Sequence, residues 1–504
     1  MKQYQLLVNV GFISIALSGC LNDNNDPTEP TIEEPTELEQ VTEQLNQLVQ
    51  SKNLTALQAP ENVPAVTDPL VQLGKKLFFT KALSGNMDTA CASCHHPNLG
   101  GGDDLPLSIG VEASDFDLLG PGRLHNVNGE HFDGGPTVPR NAPSTFNIAF
   151  YHTTIFHDGR IENLVTPPST SDISDSISTP DSGFQIIDTN AQASLAATQA
   201  RFPVTSKEEM RGFSYVAGGS NDELREQLAQ RLQGNTDDLG ANGWLEQFQI
   251  GFEQPNGSAQ ELITGANIFT ALGEYERSQI LVNSPWNDFL SGNGDTLSLS
   301  AKRGALLFYQ DASQGGFDCA SCHSGSFLTD ESFHVIAIPQ VGRGKGDGPN
   351  GDDDFGRFKV THNDQDMYAY RTPHLTNITQ TGPYGHSGAY ATLEQVIEHH
   401  LNPEQAIANY DPSAIQTGIQ TEHWQQNTMA ALTKLQQQQT DGSSKLQTFS
   451  YTEQNIADLV SFLQSLEDPC TVDTACMNQW VPASDEVDPD GKRLVAYDQN
   501  GDLL

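Results

Sequence analysis

The sequence predicts a mainly α-helical protein of two related units, each a set of helices packed around the same short cysteine motif, with long loops between them. Three observations carry that expectation. The pentapeptide Cys-Ala-Ser-Cys-His stands twice, at 91–95 and at 319–323. Each copy follows a similar run, "LGKKLFFTKALSGN" before the first and "KRGALLFYQDASQGGFD" before the second. Gly74 stands 17 residues ahead of Cys91 and Gly304 stands 15 ahead of Cys319. Matched spacing outside the motif points to duplication of a whole unit. Finally, apolar residues recur at helical spacing, while alternating runs that would mark strands are sparse among Gly- and Pro-rich loops.

In chain order, residues 1–20, "MKQYQLLVNVGFISIALSGC", have a Lys near the start, an apolar run and a small-residue end. That pattern is a secretory signal, too short and wrongly flanked for a spanning helix. "LSGC" resembles a bacterial lipobox, which makes Cys20 the lipidated first residue of the mature chain; an ordinary signal with an incidental Cys is the alternative. Leu21 resembles the outer-membrane sorting rule. Residues 21–58 begin as an acidic, Pro-rich tether ("LNDNNDPTEPTIEEPTE") and continue as a helix near 38–58 with Leu45, Leu48 and Val49 on one face.

The first unit spans 59–290. In it, Ser258-x-x-Glu261 reads as a capping box opening a helix to about Ile280. The second unit spans 291–469. "TLEQVIEHH" (392–400) starts at Thr392 and places Leu393, Val396, Ile397 and His400 on one face; "TEQNIADLVSFLQSL" (452–466) does the same with Ile456, Leu459, Val460 and Leu463. A tail, 470–504, closes the chain. No apolar run after the signal approaches the roughly 20 residues a bilayer needs.

Seven cysteines are an odd number for an exported chain. Cys20 goes to lipid, four belong to the two motifs, and Cys470 and Cys476 in "DPCTVDTAC" are close enough to bridge in an oxidising compartment. The net charge of −40 opposes nucleic-acid binding, which needs Lys and Arg for phosphates. It suits attraction of a basic partner such as a small cationic electron carrier; adaptation to salty surroundings is the other reading.

In Cys-x-x-Cys-His the two thiols add to the vinyl groups of haem and the imidazole becomes the proximal iron ligand. A thioredoxin-like dithiol needs a βαβ context missing here, and a zinc site shared by the two Cys pairs leaves the following His unexplained. Two haem c groups are therefore expected, on Cys91, Cys94 and His95 and on Cys319, Cys322 and His323. Each has roughly 200 residues around it, more than electron wiring requires, so a built pocket and an enzyme are expected.

At this point the sequence resembles the bacterial di-haem cytochrome c peroxidases and their MauG-type relatives, from about Leu73 to Leu466. "LGKKLFF", "PRNAPSTFNIAF" (139–150), "FHDGR" (156–160), "FPVTSKEEM" (202–210), "GRFKVT" (356–361), "YRTPHLTNITQTGPYGHSG" (370–388) and "TLEQVI" (392–397) follow in family order. The resemblance implies that peroxide reacts at the first haem and that Glu209, in the pattern Pro203…Glu209-Met210, steers a proton during O–O cleavage. It implies an inter-haem Ca²⁺ held by Asn141 and by backbone oxygens of Thr381 and Pro383, and Arg371 beside the second haem.

Four departures qualify it. The loop that carries a blocking His in many members reads Ser108-Ile109-Gly110-Val111, so the first haem should be five-coordinate and ready without reductive activation, unless His125 or His131 substitutes. The Met ligand of the second haem falls on His400, giving a bis-His haem of lower potential. The Trp between the haems is His157, which enters the catalytic set with Glu209 and Pro203. The distal Gln becomes Pro167, before an inserted Ser/Thr/Asp-rich stretch. The acidic loop 346–356, "GDGPNGDDDFG", reads as solvated, with a further Ca²⁺ site as the alternative.

The expectation is thus a periplasmic, lipid-anchored di-haem c-type peroxidase, tethered to the outer membrane, that reduces hydrogen peroxide with electrons from a small, basic donor protein. A MauG-like oxidase acting on a partner protein is the alternative, and a non-catalytic electron-transfer protein a third. Expected partners exclude nucleic acid and include the membrane only through the anchor; a homodimer stays open.

Overall fold

The computed structural model describes residues 35–165, 172–415 and 418–504. The signal segment, Cys20, most of the tether and Pro167 lie outside the described residues. What is described is mainly helical, with a three-stranded antiparallel sheet (Thr154–Ile155, Ile161–Asn163, Ile177–Ser178) and a two-stranded one (Phe333–His334 with Tyr370–Arg371). Among the described residues no helix is long and apolar enough to cross a membrane.

Each motif hangs from one tightly packed helix pair. Helix Pro69–Phe79 leads to the first motif and packs on Gly265–Arg277; helix Leu299–Tyr309 leads to the second and packs on Glu453–Gln464. A Cβ at Gly74 would stand 2.0 Å from the Ala271 carbonyl oxygen, and one at Gly304 1.9 Å from that of Asp458. Glycine costs a helix roughly 0.5–1 kcal/mol relative to alanine, and here it lets the two backbones touch. The paired glycines of the duplicated segments therefore do the same job in both units. In the second pair the buried ring of Phe462 meets Trp286 edge-on at 5.1 Å and Phe308 at 5.1 Å, contacts each worth about 0.5–1.5 kcal/mol beyond burial.

Two helix boundaries differ from expectation. The helix opened by Ser258 stops at Leu262, and a second runs Gly265–Arg277. The cause is a second N-cap: the Thr264 hydroxyl accepts from the Asn267 N–H, while Asn267 Nδ2 donates to the Leu262 carbonyl. The N-terminal helix runs Glu37–Lys52, capped by Thr36 and Glu39, and ends at Asn53 with φ 51° in the left-handed region that asparagine tolerates.

The chain ends cross over. The Glu37–Lys52 helix puts Leu45 and Leu48 into the core of the second unit and pairs Glu37 with Arg303 at 2.9 Å. The tail instead joins the core of the first unit through Met477, Trp480 and Leu494. Cys470 and Cys476 are disulfide-bonded. Beyond them Tyr275 Oη donates to the Trp480 carbonyl at 2.9 Å, Trp244 Nε1 donates to Asp490 at 2.8 Å, and Glu486 pairs with Lys75 and Lys76. The tail is a strap over the first unit.

Candidate functional site

One cavity of about 380 Å³ runs between the two units. Its walls include His95 from the first motif, Cys319, Cys322 and His323 from the second, and His400 from helix Leu393–Leu401. That helix starts at Thr392, whose hydroxyl accepts from the Gln395 N–H, and it turns Leu393, Val396, Ile397 and His400 to the cavity.

Three imidazoles are set in the same way. Nδ1 of His95 lies 3.2 Å from the Gly101 carbonyl oxygen, that of His323 3.2 Å from Leu328, and that of His400 2.7 Å from Val396. A carbonyl only accepts, so each Nδ1 carries the hydrogen and each Nε2 keeps its lone pair for a metal. Burial lowers the pKa of all three, that of His323 to about 4 with His400 adding to the effect, so they are neutral ligands.

The rings of His323 and His400 are centred 6.5 Å apart. With metal–imidazole bonds of about 2.0–2.1 Å and a ring nitrogen about 1.1 Å from the ring centre, two imidazoles sharing one metal are centred about 6.3 Å apart. The thiols of Cys91, Cys94, Cys319 and Cys322 are free and half-buried. Arg371 donates Nε to the Phe156 carbonyl at 3.1 Å and lies 4.1 Å over the Tyr151 ring, while its buried Nη1 has no partner among the described residues. An anionic substituent such as a haem propionate would satisfy that donor. Donor set, spacing and orphaned guanidinium all fit haem c. Cys322, Asp330 and His334 also converge, but that thiol belongs to the second motif.

His157 lines the same cavity, its Nε2 donating to the Asn141 carbonyl at 3.0 Å. Burial and then Arg140 lower its pKa to about 4. Asn141, Thr381 and Pro383 share the cavity wall, and Asn141 Nδ2 donates to the carbonyls of Leu105 and Pro106 at 2.9 and 3.2 Å.

Pro203 and Glu209 lie outside this cavity's walls, as do Cys91 and Cys94. Glu209 sits in a π-helical turn, Lys207–Arg211, capped by Ser206; such turns recur at functional sites. Gly110 is its seat, since a Cβ there would stand 2.1 Å from the Glu208 carbonyl oxygen. Burial raises the Glu209 pKa against the pull of Arg160 and Lys345. Burial likewise pushes the Cys94 thiol up to about 12, and Glu209 is among the charges that add to it, which places this carboxyl near the first motif. His125 and His131 are off the cavity: His125 is buried with its ring 5.5 Å from Phe132, and His131 stacks on Phe213 at 3.7 Å.

Sequence reasoning missed the ion cluster that ties this region together. Arg140 grips Asp354 through Nε and Nη2 at 2.6 and 2.8 Å and Asp158 at 2.6 Å. Although burial opposes it, the arginines hold both carboxyls well below their ordinary range. Each residue lies in a stretch singled out from sequence, but only the fold brings the stretches together. The same contact corrects the reading of the acidic loop. Asp353 and Asp354 are buried, Asp353 accepts from Tyr368 Oη at 2.8 Å, and Asp347 pairs with Lys359 at 2.6 Å, so these carboxylates are spent on protein partners rather than on solvent or a cation.

A family model described as "Di-haem cytochrome c peroxidase" matches residues 68–295. The methylamine utilization protein MauG of Methylorubrum extorquens is 27% identical over 362 residues, 69% of this chain and 76% of that one. The cytochrome c551 peroxidase of Pseudomonas aeruginosa is 25% identical over 329 residues, 65% of this chain and 70% of that one. A crystal structure of a MauG-like protein associated with microbial copper homeostasis superposes with TM-score 0.51 at 21% identity, covering 85% of this chain and 97% of that one, a likeness of fold. Residues 68–295 are thus similar to the di-haem cytochrome c peroxidase family, and the likeness to MauG and to a cytochrome c551 peroxidase extends over about two thirds of the chain. The similar proteins include peroxidases and MauG alike, and the likeness points to an oxidoreductase with two haem c groups.

Proposed function

We propose that the protein is a di-haem c-type peroxidase that reduces hydrogen peroxide to water with electrons from a small electron-donor protein, outside the cytoplasm and tethered through Cys20. The observation that carries this reading is the asymmetry of the two motifs. His323 faces a second imidazole at 6.5 Å, which suits a centre that only passes electrons. Near the first motif no second imidazole among the described residues is paired with His95 in this way, and the half-buried carboxyl of Glu209 is among the charges that act on the Cys94 thiol.

When bound, the haems supply iron that can exchange electrons with peroxide and with the donor. The chain supplies the rest. His95, with Nδ1 fixed by Gly101, would hold the first iron through Nε2. Glu209, ionised, takes a proton from the inner peroxide oxygen and returns it to the outer one, so that the leaving oxygen departs as water. His323 and His400 would hold the second iron, and Arg371 would neutralise an anionic substituent there. His157 stays neutral between the units and fixes the Asn141 backbone. Asn141, Thr381 and Pro383 are the proposed oxygen ligands of a Ca²⁺ between the haems. Two electrons and two protons turn each peroxide into two waters.

Oxidation of a partner protein is the second reading. Two imidazoles give iron a lower potential than imidazole and thioether, which makes the His323–His400 centre a poorer acceptor for a donor's electrons. Peroxide-dependent oxidation of a reduced small cytochrome at catalytic turnover supports the peroxidase; rapid reaction with peroxide without such turnover moves the assignment to the oxidase.

A further inference from the structure

The first unit holds a second cavity, of about 430 Å³, that shares no wall residue with the one between the units. Three segments meet there. Residues 189–192 close one side, helix Asn221–Gln233 brings Asp222, Arg225 and Glu226, and the start of helix Gly265–Arg277 brings Gly265, Ala266 and Phe269.

Donors and acceptors are unevenly matched around it. Arg225 is 5% exposed. Its Nε donates to the Arg201 carbonyl at 3.1 Å and its Nη1 to Asp181 and Asp222 at 2.7 and 2.8 Å, whereas the buried Nη2 has no partner among the described residues. Leaving a buried charged donor without an acceptor is costly, and native structures seldom do so. Arg201, also on the cavity wall, offers no relief, because it is itself a donor held by Asp188 at 2.8 Å and Asp181 at 3.4 Å.

The helix start adds further donors. The Thr264 hydroxyl takes up the Asn267 N–H, while the N–H groups of Gly265 and Ala266, in the first turn, have no acceptor inside their own helix. They stand at the positive end of a helix of 13 residues. Packing does not demand Gly265. A Cβ there would meet Phe269 Cε2 at 3.7 Å and Arg225 Cβ at 4.0 Å, ordinary contacts with the cavity wall. What the missing side chain leaves open is an approach to the backbone beside the arginine.

Opposite charge stands at the rim. Asp222, its side chain 68% exposed, gives Oδ1 to Arg225, and the exposed Glu226 gives Oε1 to Gln230. A simple anion would meet donors inside but carboxylates at the entrance, on a chain of net charge −40. A molecule with a carboxylate and an ammonium a few bonds apart is neutral overall and meets both sets.

We propose that this cavity binds a free α-amino acid, its carboxylate accepting from Arg225 Nη2 and the N–H groups of Gly265 and Ala266, its ammonium donating to Asp222 and Glu226. The inference stands apart from the haems and from the proposed reaction.

The test is isothermal titration calorimetry of the two-haem protein with the standard L-amino acids one at a time, into the millimolar range. The tightest binder is then compared with the same skeleton lacking its amino group and with the same skeleton lacking its carboxylate. The expected result is saturable one-to-one binding of at least one amino acid, with both truncated molecules bound at least about tenfold more weakly, the scale of one lost charge-assisted hydrogen bond. The double variant Asp222→Asn, Glu226→Gln changes only exposed side chains and should weaken the amino acid about tenfold while leaving the carboxylic acid unaffected. Gly265→Ala, whose added methyl makes only ordinary contacts, should weaken amino acid and carboxylic acid alike, with circular dichroism unchanged. No heat from any amino acid overturns the proposal. So does a carboxylic acid bound as tightly as its amino acid, which would make this a plain anion site, or an affinity untouched in both variants, which would place the ligand elsewhere.

Discussion

Exchanging Glu209 for Gln is the sharpest perturbation of the proposed chemistry. The amide has the volume of the carboxyl, and the contacts that shape the turn are made by backbone: the Glu209 N–H donates to Ser206 Oγ at 3.4 Å, and Gly110 packs against the carbonyl oxygens of residues 208 and 209. Folding and haem attachment should therefore survive. What is lost is a positioned proton carrier, worth about 10²–10⁴-fold in rate, or roughly 2.7–5.5 kcal/mol of barrier at 1.36 kcal/mol per tenfold. The pH dependence has a definite sign. Glu209 must be ionised to take the first proton, and burial raises its pKa, so the wild-type rate should fall as pH drops through that raised value. The Gln variant should be slow and flat over the same window. Rapid mixing of the loaded protein with peroxide, followed by haem absorbance across a pH series, measures both. An unchanged rate with both haems attached would refute the role assigned to Glu209.

Further predictions follow from the same geometry. His400→Met should raise the potential of the second haem with both haems retained, read by redox titration; an unchanged potential means His400 is not the ligand. Gly304→Ala places a methyl 1.9 Å from the Asp458 carbonyl oxygen, an overpacking cost of about 1–3 kcal/mol that should lower the thermal midpoint, whereas a neutral effect would contradict the close helix contact. Arg140→Ala strips the partner from buried Asp158 and Asp354, a loss of roughly 3–5 kcal/mol in denaturant unfolding at neutral pH. Because those carboxyls have folded pKa values depressed below the ordinary 3.8, their stabilisation is fully present above it and fades as pH falls further. Wild type and variant should therefore converge in acid, and a constant gap down to low pH argues against the ion cluster.

Local signals made much of this architecture readable. The repeated pentapeptide, the paired Gly74 and Gly304, and the caps at Thr392 and Thr452 all act within a turn or two of themselves. The face shared by Leu393, Val396, Ile397 and His400 follows from helical periodicity alone. The break at Thr264 was hidden because a strong capping box at Ser258 masked a second cap six residues on. The crossing of the chain ends, with Leu45 and Leu48 in one core and Trp480 and Leu494 in the other, rests on contacts between segments hundreds of residues apart. Arg140 with Asp158 and Asp354, and Arg225 with Gly265, depend on which segments meet. Composition made the loop at 346–356 look solvated, and only the arriving Arg140, Lys359 and Tyr368 explain its carboxylates.

The decisive observation is the electron paramagnetic resonance spectrum of the ferric, two-haem protein before and after peroxide. One low-spin signal of a bis-imidazole centre, unaffected in form by an excess of ligand, should stand beside a high-spin signal that peroxide removes. Two low-spin signals, neither changed by peroxide, would mean that no iron is open to substrate and would contradict the account.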